Sequence, residues 1–264
     1  MLLYIKSCKN QVKSNLSRIF GTNLQLFLFF MDDSALLCYN TKRGVSMKDI
    51  PVFATDNGIA SLGLQQIPYT GFAHITIRSS TAFNEFLEDC VGFCRAVGAK
   101  RVLACGHNAL ELYPIYTVIL SMQMPVPEKS GEDCLFPVTE KSVGRWLDIY
   151  NDAMVHVPNA VILSKQMARE LMEKGSAYFV HHNGDILGIG AIENDTIKAI
   201  VSCKKGAGER VMLSLCGALS GDTVRVEVAE NNEPALRLYR RMGFVSTGIL
   251  KTWYDVTKNI LDVK

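Results

Sequence analysis

The order of β-type and helical segments after residue 134 constrains this chain more than any other feature of its sequence. Asn183-Gly184-Asp185 separates two β-type runs, which is a strong signal for a tight hairpin. Later β-type runs are separated by amphipathic helical runs long enough to connect parallel strands. The resulting order, β-α-α-β-β-β-α-β-α-β, predicts an α/β sheet with helices on both faces.

The individual elements of this region follow from hydrophobic periodicity and from helix-capping residues. Ser164 and Asn232 precede helical runs and are good N-cap residues. The predicted strands are 134–139, 176–182, 186–193, 196–203, 223–230 and 245–256. The predicted helices are 140–154, 164–174, the run that follows the glycine-rich start of 204–219, and 230–244.

The first half of the chain carries a shorter version of the same order. Residues 72–78 predict a strand, 82–98 a helix that ends at Gly98, and 101–106 a second strand, followed by a helical start. The sequence ALELY at 109–113 then matches ALRLY at 235–239. We interpret the shared order and the shared pentapeptide as an internal duplication.

A composition break marks the boundary between the two copies. Residues 121–133 contain two prolines followed by Lys, Ser, Gly and acidic residues, and they interrupt the apolar periodicity on both sides. We therefore predict two domains, 1–126 and 127–264.

Composition excludes several classes of function. The chain has 264 residues, 48% hydrophobic and 20% charged, with a net charge of +2, as in soluble globular proteins. So small a charge predicts neither nucleic-acid nor membrane-surface binding. Apolar runs such as Leu24–Met31 are shorter than the roughly 20 residues of a membrane span, and the amino terminus does not resemble a signal peptide.

The eight cysteines contain no Cys-x-x-Cys pair, so we predict no metal site. Cys90 and Cys94 lie one helical turn apart and are expected to be buried, reduced thiols in a cytoplasmic protein.

The glycine-rich loop before the helix of 204–219 is a candidate anion site. Unpaired N–H groups at a helix start can bind phosphate, and Gly206 and Gly208 have no Cβ to obstruct it. Lys204 and Lys205 add positive charge. The alternative is a solvated turn without a ligand.

Two common phosphate-binding motifs are excluded at this loop. A P-loop requires a lysine followed by Ser or Thr after its last glycine, whereas Gly208 is followed by Glu209 and Arg210. The dinucleotide fingerprint requires a third glycine at the position of Val211.

Tyr239 lies on the apolar face of the predicted helix 230–244, together with Ala235, Leu238 and Met242. Asn232 can cap this helix, and Pro234 in its first turn costs no hydrogen bond. The tyrosine is either core packing with its hydroxyl satisfied, or its hydroxyl takes part in chemistry.

Taken together, the loop and the helix resemble the two motifs of the GNAT superfamily of N-acetyltransferases. Gly-x-Gly follows a strand, and Asn-x-x-Ala-x-x-Leu-Tyr-x-x-x-Gly-Phe follows about 25 residues later, within residues 134–256. The resemblance implies the GNAT fold, with a mixed, mostly antiparallel central sheet flanked by helices, here in two tandem copies. It also implies acetyl-CoA as co-substrate.

The same resemblance implies roles for individual residues. Cofactor-binding positions would be Val201, Cys203, Lys204, Lys205, Gly206, Ala207, Gly208, Glu209 and Asn232. Cys203 replaces the Gln or Arg of the family motif. Tyr239 would protonate the departing thiolate, since a phenol with a pKa of about 10 is protonated at neutral pH.

The general base and the acceptor pocket stay open at this point. Glu193, Glu227 and the pair His181 and His182 are candidates for the base, as is a water molecule. Trp253 and Tyr254 either line an acceptor pocket or pack in the core.

The first half has no Gly-x-Gly between its strand and helix, and Pro114 interrupts the helix that matches 235–239. We therefore predict that 1–126 is a degenerate copy without a cofactor site, and that 127–264 transfers an acetyl group directly to a primary amine of a small molecule or peptide. The alternative function is a CoA-binding or ligand-sensing module without turnover.

Overall fold

The computed structural model describes residues 52–127, 134–155, 157 and 160–258. These residues form two compact units, one of residues 52–116 and 253–258 and one of the described residues between 117 and 252. The predictions for residues 1–51 and for most of the linker 126–133 lie outside the described residues. No helix in the described part of the chain is both long and apolar enough to cross a membrane.

The first unit is a small sheet covered by one long helix. Its strands β1, β2, β3 and β4 are adjacent in that order, and only the pair β3 and β4 is parallel. Phe86, Cys90 and Cys94 of the long helix α2 are buried against this sheet. The elements are β1 (Val52–Thr55), β2 (Gly58–Gly63), α1 (Ile67–Thr70), β3 (Phe72–Ser80), α2 (Phe83–Ala96), β4 (Arg101–Cys105) and a 3-10 helix (Asn108–Leu112).

The second unit carries the predicted order of elements. From β6 onward, that order is the one read from the sequence, and the sheet order is β5-β10-β9-β8-β7-β6. The first two residues of β5 and the last three of β11 belong to the first unit. The elements are β5 (Ile115–Pro125), β6 (Cys134–Pro137), α3 (Val143–Met154), α4 (Lys165–Glu173), β7 (Ala177–His182), β8 (Asp185–Glu193), β9 (Thr196–Ser202), α5 (Gly208–Cys216), β10 (Thr223–Ala229), α6 (Glu233–Arg241) and β11 (Val245–Asp255).

Local signals in the sequence account for the boundaries of these elements. Asn183 and Gly184 have φ of 49° and 83°, as the tight β7–β8 hairpin requires. Ser164 caps α4 by accepting a hydrogen bond from the Met167 amide. Gly98 has a φ of 101° two residues beyond the end of α2. The predicted hairpin and these helix ends are therefore confirmed.

The compact units divide at residues 116 and 252, whereas the sequence predicts domains 1–126 and 127–264. Residues 119–125 of β5 pair with β10 in the second unit, and Tyr254 and Asp255 of β11 pair with β4 in the first. Each half of the sequence thus supplies a strand to the unit built mainly from the other half. The composition of the linker indicates where one segment of the sequence ends and the next begins. It does not indicate which unit each flanking strand joins.

The predicted helix after β4 is a short 3-10 helix. Pro114 follows Tyr113 directly, and a proline at that point prevents the helix from continuing. The side chain of His107 accepts a hydrogen bond of 3.2 Å from the Ala109 amide, as Asn232 accepts one of 3.4 Å from the Ala235 amide. The two matching pentapeptides therefore both follow a side-chain cap.

Candidate active site

A β-bulge in β9 determines the geometry around the glycine loop. Ala199 pairs with Ala191 and Ile197 with Ile192 of β8, so that Lys198 between them has no opposite residue. The bulge also changes the face of the sheet toward which the side chains of β9 point. Ile197 packs in the core beneath α5, whereas Ala199 packs in the core beside α3.

The parallel ladder between β9 and β10 ends at this bulge. Only two pairs form, Thr196 with Arg225 and Ile197 with Val226, although each strand has seven residues. Beyond them, residues 198–202 of β9 and 227–229 of β10 form no further pairs with each other. We call these two facing strand segments the wedge. Its apex is at Lys198, and its mouth is at Ser202, about 13 Å away at 3.3 Å per residue.

The register of β9 decides which backbone amides face the wedge. The Cys203 amide donates a hydrogen bond of 2.8 Å to Leu187 O of β8, and bonded and non-bonded pairs alternate in an antiparallel ladder. Val201 is therefore also bonded to β8. The amides directed toward the wedge belong to Ile200 and Ser202, one residue away from the predicted positions Val201 and Cys203. Which amides of β9 face the wedge depends on the register between β8 and β9, and the sequence alone does not supply that register.

The first turn of α5 lies at the mouth of the wedge. Its N-cap residue, Ala207, has no side-chain hydrogen-bond acceptor, and the first hydrogen bond runs from the Val211 amide to Ala207 O. The helix therefore begins without a side-chain cap, unlike α4 and α6. The preceding amides at the start of a helix have no partner within it and can bind an anion.

The two glycines of the loop have different structural roles. Gly206 has a φ of 83°, and a Cβ placed there would meet nothing within 4 Å. A Cβ on Gly208 would approach Leu238 of α6 to 3.2 Å. Gly206 thus allows the turn and leaves open space, whereas Gly208 allows α5 and α6 to pack closely.

Several charges surround this loop. Lys204 forms an ion pair of 2.6 Å with Asp185, while Lys205 is exposed and has no ion pair with a described residue. This ion pair lowers the pKa of Asp185. Glu209 lies 3.5 Å from Arg241. Of the two predicted lysines, Lys205 is therefore the one without a competing carboxylate.

Arg145 is a residue near the loop that the sequence did not single out. Its charge acts to lower the pKa of the Cys203 thiol, although burial has the larger effect and raises that pKa overall. Arg145 lies on α3, far from Cys203 in sequence, and no local pattern relates the two positions. The guanidinium adds positive charge beside the end of β9.

Tyr239 faces inward, as predicted. Its ring is 5% exposed and packs at 5.3 Å from the ring of Phe244, in the core that contains Val226 and Val228 of β10. Burial raises the pKa of Tyr239 to about 12. The hydroxyl has no hydrogen-bond partner in the described part of the chain and is not among its fully enclosed unpaired polar atoms. The described part of the chain therefore leaves this hydroxyl without a hydrogen bond, while the ring lies in the core.

The candidate bases occupy different parts of the second unit. Glu227 lies at the apex, where its carboxylate is 2.9 Å from Lys198 Nζ. Glu193 pairs with Thr196 at the closed end of β9, six residues or about 20 Å from Ser202. The ring of His181 packs edge-on against Phe136 and Phe179 of the outer strands. Glu227 is therefore the candidate that the structure brings to the wedge, and Glu193 is not brought there.

Asn232, Trp253 and Tyr254 complete the predicted set. The Asn232 side-chain oxygen caps α6, and its side-chain amide nitrogen can donate to a ligand. Trp253 is buried edge-on against His74 at 4.9 Å, and Tyr254 packs against the core of the first unit. The core-packing alternative thus describes the two aromatic residues.

The first unit has no counterpart of the wedge among its described residues. Its parallel pair, β3 and β4, forms five register pairs from Phe72–Arg101 to Thr76–Cys105. Every residue of β4 is therefore paired on that edge. A Cβ on Gly106, just beyond β4, would meet Ile77 O at 2.5 Å, so the two chain segments stay close past the end of the ladder.

Comparison with known proteins supports the fold at low sequence identity. No protein-family model and no curated protein sequence matches the chain. Among solved structures, a GCN5-related N-acetyltransferase from Anabaena variabilis has a TM-score of 0.56 at 12% identity and covers 90% of this chain and 71% of its own. A proposed acetyltransferase from Pyrococcus horikoshii has a TM-score of 0.52 at 12% identity and covers 95% and 86%.

A GCN5-related N-acetyltransferase from Kribbella flavida gives a TM-score of 0.51 at 11% identity, covering 94% of this chain and 69% of its own. Identities this low establish similarity of fold only. The chain has a mixed α/β fold similar to that of GNAT acetyltransferases.

Proposed function

We propose that this protein is an N-acetyltransferase that moves an acetyl group from acetyl-CoA directly to a primary amine. The observation that carries the proposal is the wedge, in which a bulge at Lys198 leaves strand edges unpaired beside an uncapped helix start. Unpaired backbone groups require partners, and an extended ligand with amide groups and a pyrophosphate can supply them.

Each part of the cofactor has a matching set of groups. The pyrophosphate would lie at the first turn of α5, with Gly206 leaving space and Lys205 adding charge. The pantetheine arm would extend along β9 toward the apex, beside the amides of Ile200 and Ser202. Its amide groups can form strand-like hydrogen bonds there, as an added peptide strand would.

The acetyl transfer must balance its protons. The neutral amine nitrogen attacks the thioester carbon, a C–N bond forms, the C–S bond breaks, and one proton leaves the nitrogen while the thiolate accepts one. Glu227, or water, would remove the proton from the nitrogen. Tyr239 would supply an O–H group toward the departing sulfur.

The raised pKa of Tyr239 limits what its hydroxyl can do. Burial raises the pKa of Tyr239, and a thiol has a lower pKa than a phenol, so complete proton transfer from this hydroxyl to the departing thiolate is unfavourable. We therefore assign Tyr239 as a hydrogen-bond donor that stabilises the developing thiolate, with the proton itself arriving from water.

We further propose that the first unit is a degenerate second copy of the fold. Both units contain a parallel strand pair joined by a helix, and in both the second strand of that pair has an antiparallel neighbour on its other side. The fully paired β3–β4 ladder is the difference that removes a cofactor site from the first copy.

The direct test is acetyl-CoA binding by calorimetry together with release of free CoA thiol in the presence of a panel of amines. Binding with amine-dependent CoA release would support the proposal. Binding without release by any amine would indicate the alternative, a CoA-binding module, and absence of binding would exclude both.

A further inference from the structure

The ion pair between Lys198 and Glu227 occupies a distinctive position in the second unit. Lys198 is the bulged residue of β9, and Glu227 is the first residue of β10 beyond the end of the parallel ladder. Their charged atoms are 2.9 Å apart, and the side chains are 42% and 50% exposed. The pair thus spans the apex of the wedge while remaining accessible to solvent.

This ion pair lies on the face of the sheet opposite α5 and α6. Val226 and Val228 are buried in the core beneath those helices, and successive side chains of a strand point to opposite faces. Glu227 therefore points away from the side that holds Tyr239. A cofactor arm lying in the wedge would separate the two faces, so that an acceptor approaching from the face opposite α5 and α6 would meet Lys198 and Glu227 first.

We propose that the acceptor carries a carboxylate as well as its amine, as an amino acid does. This inference rests on the proposed function. The ammonium group of such an acceptor matches the Glu227 carboxylate, and its carboxylate matches the Lys198 ammonium. On binding, Glu227 exchanges the Lys198 ammonium for the acceptor ammonium, and Lys198 exchanges the Glu227 carboxylate for the acceptor carboxylate. None of the four charges is then left unpaired.

An acceptor that carries an amine but no carboxylate would match the ion pair of Lys198 and Glu227 less well. Its ammonium can approach Glu227 only by competing with Lys198, and it offers no anion to Lys198 in return. The like charges of Lys198 and the incoming ammonium also repel each other at this distance. The ion pair therefore favours zwitterionic acceptors over amines that carry a positive charge alone.

The transfer step on such an acceptor is balanced. The ammonium first gives one proton to Glu227 or water. The free nitrogen then attacks the acetyl carbonyl carbon, forming the C–N bond as the C–S bond breaks. The thiolate gains a proton from solvent, and the amide nitrogen loses one. The acceptor carboxylate is unchanged and stays beside Lys198.

The same face of the sheet provides a matched control. Arg225 and Asp195 lie 4.0 Å apart on β10 and the β8–β9 turn, with side chains 52% and 44% exposed. This second ion pair is at the closed end of the ladder, before the wedge begins. It resembles the first in charge and exposure and differs in its position.

The experiment measures kcat/KM of the full-length protein for glycine, alanine, lysine and phenylalanine, each compared with its own carboxamide. The ratio of kcat/KM for each acid to kcat/KM for its carboxamide is determined for the wild type, Lys198→Met and Arg225→Met. Amides and acids differ in the pKa of their amines, but this difference cancels when the ratio is compared between variants. Lys198→Met should lower the ratio at least fivefold, and Arg225→Met should leave it within twofold.

High salt should lower the wild-type ratio as well, because the charges are partly exposed. Transfer to amines with equal ratios in the wild type and Lys198→Met would overturn this inference and leave the proposed function intact. Acetyl-CoA binding without CoA release for any acid or amide would overturn the proposed function, and the inference with it.

Discussion

The hydroxyl of Thr117 donates a hydrogen bond of 2.9 Å to the side-chain oxygen of Asn231, across 114 residues of chain. Thr117 is buried at the start of the β5 segment that belongs to the second unit, and Asn231 lies in the turn between β10 and α6. The bond therefore ties a strand from the first half of the sequence to the turn that precedes Asn232.

The first prediction is that residues 127–264 alone do not form the acetyl-CoA site. This fragment lacks β5, which pairs with β10 over seven residues from Thr223–Pro125 to Ala229–Ile119. It would expose the edge of β10 and part of its apolar face. We expect no acetyl-CoA binding by calorimetry, and recovery of binding when fragment 1–126 is added during refolding. Full affinity in the isolated fragment would contradict the strand assignment.

The second prediction compares Gly206→Ala with Gly184→Ala. Both glycines have a φ of 83°, and a Cβ at either position meets nothing within 4 Å. Each substitution should therefore cost a similar backbone strain of about 1–2 kcal/mol, visible as a similar fall in melting temperature. Only Gly206→Ala places a methyl group at the proposed pyrophosphate position.

We expect Gly206→Ala to weaken acetyl-CoA binding at least tenfold in calorimetry, and Gly184→Ala to leave it unchanged. Equal affinities in the two variants would place the phosphates elsewhere. Gly208 is unsuitable for this test, because a side chain there would also press on Leu238.

The third prediction concerns Tyr239→Phe. If the hydroxyl donates a hydrogen bond to the developing thiolate, its loss should lower kcat about 10- to 100-fold, as expected for a bond to a charged group worth about 1.5–3 kcal/mol. Complete general acid catalysis would give a larger loss, up to about 10⁴-fold. Because the hydroxyl has no partner in the described part of the chain, the melting temperature should change little. Full activity in this variant would remove Tyr239 from the mechanism.

The fourth prediction is a loss of stability at alkaline pH. Burial raises the pKa of the Cys90 thiol, that of Cys94 to about 12 and that of Cys216 to about 11, from an ordinary value of 9.0. The unfolded chain then binds fewer protons than the folded chain above pH 9. Stability conferred by the buried neutral thiols is therefore complete below pH 9 and falls as the pH rises.

At pH 10, each buried thiol should account for a loss of roughly 1 kcal/mol of unfolding free energy relative to pH 7. Urea denaturation at the two pH values measures the difference. Cys94→Ala in parallel should show a smaller pH dependence. Identical pH dependence in this variant and the wild type would show that the Cys94 thiol is not the cause.

The fifth prediction is a stoichiometry of one acetyl-CoA per chain. The wedge occurs in the second unit, whereas every residue of β4 in the first unit is paired with β3. Calorimetric titration measures the number directly. If the wild type bound two equivalents of acetyl-CoA and Gly206→Ala still bound one equivalent tightly, the second site would lie in the first unit.

Most elements of the second unit follow from short stretches of the sequence. Hairpin residues such as Asn183 and Gly184, caps such as Ser164 and Asn232, and the apolar spacing that turns Tyr239 inward act over a few residues. Their effects can therefore be predicted from short stretches of the chain. The fold class and the position of the glycine loop follow from them.

How these elements combine into a site depends on contacts between distant segments. The bulge at Lys198 depends on the register of β9 against β8. Because of that register, the amides that face the wedge are those of Ile200 and Ser202 and not those of the neighbouring residues. The partners of β5 and β11 were decided by long-range strand pairing. Sequence patterns report periodicity along one segment, whereas register and strand partners are set by contacts between segments distant in the chain.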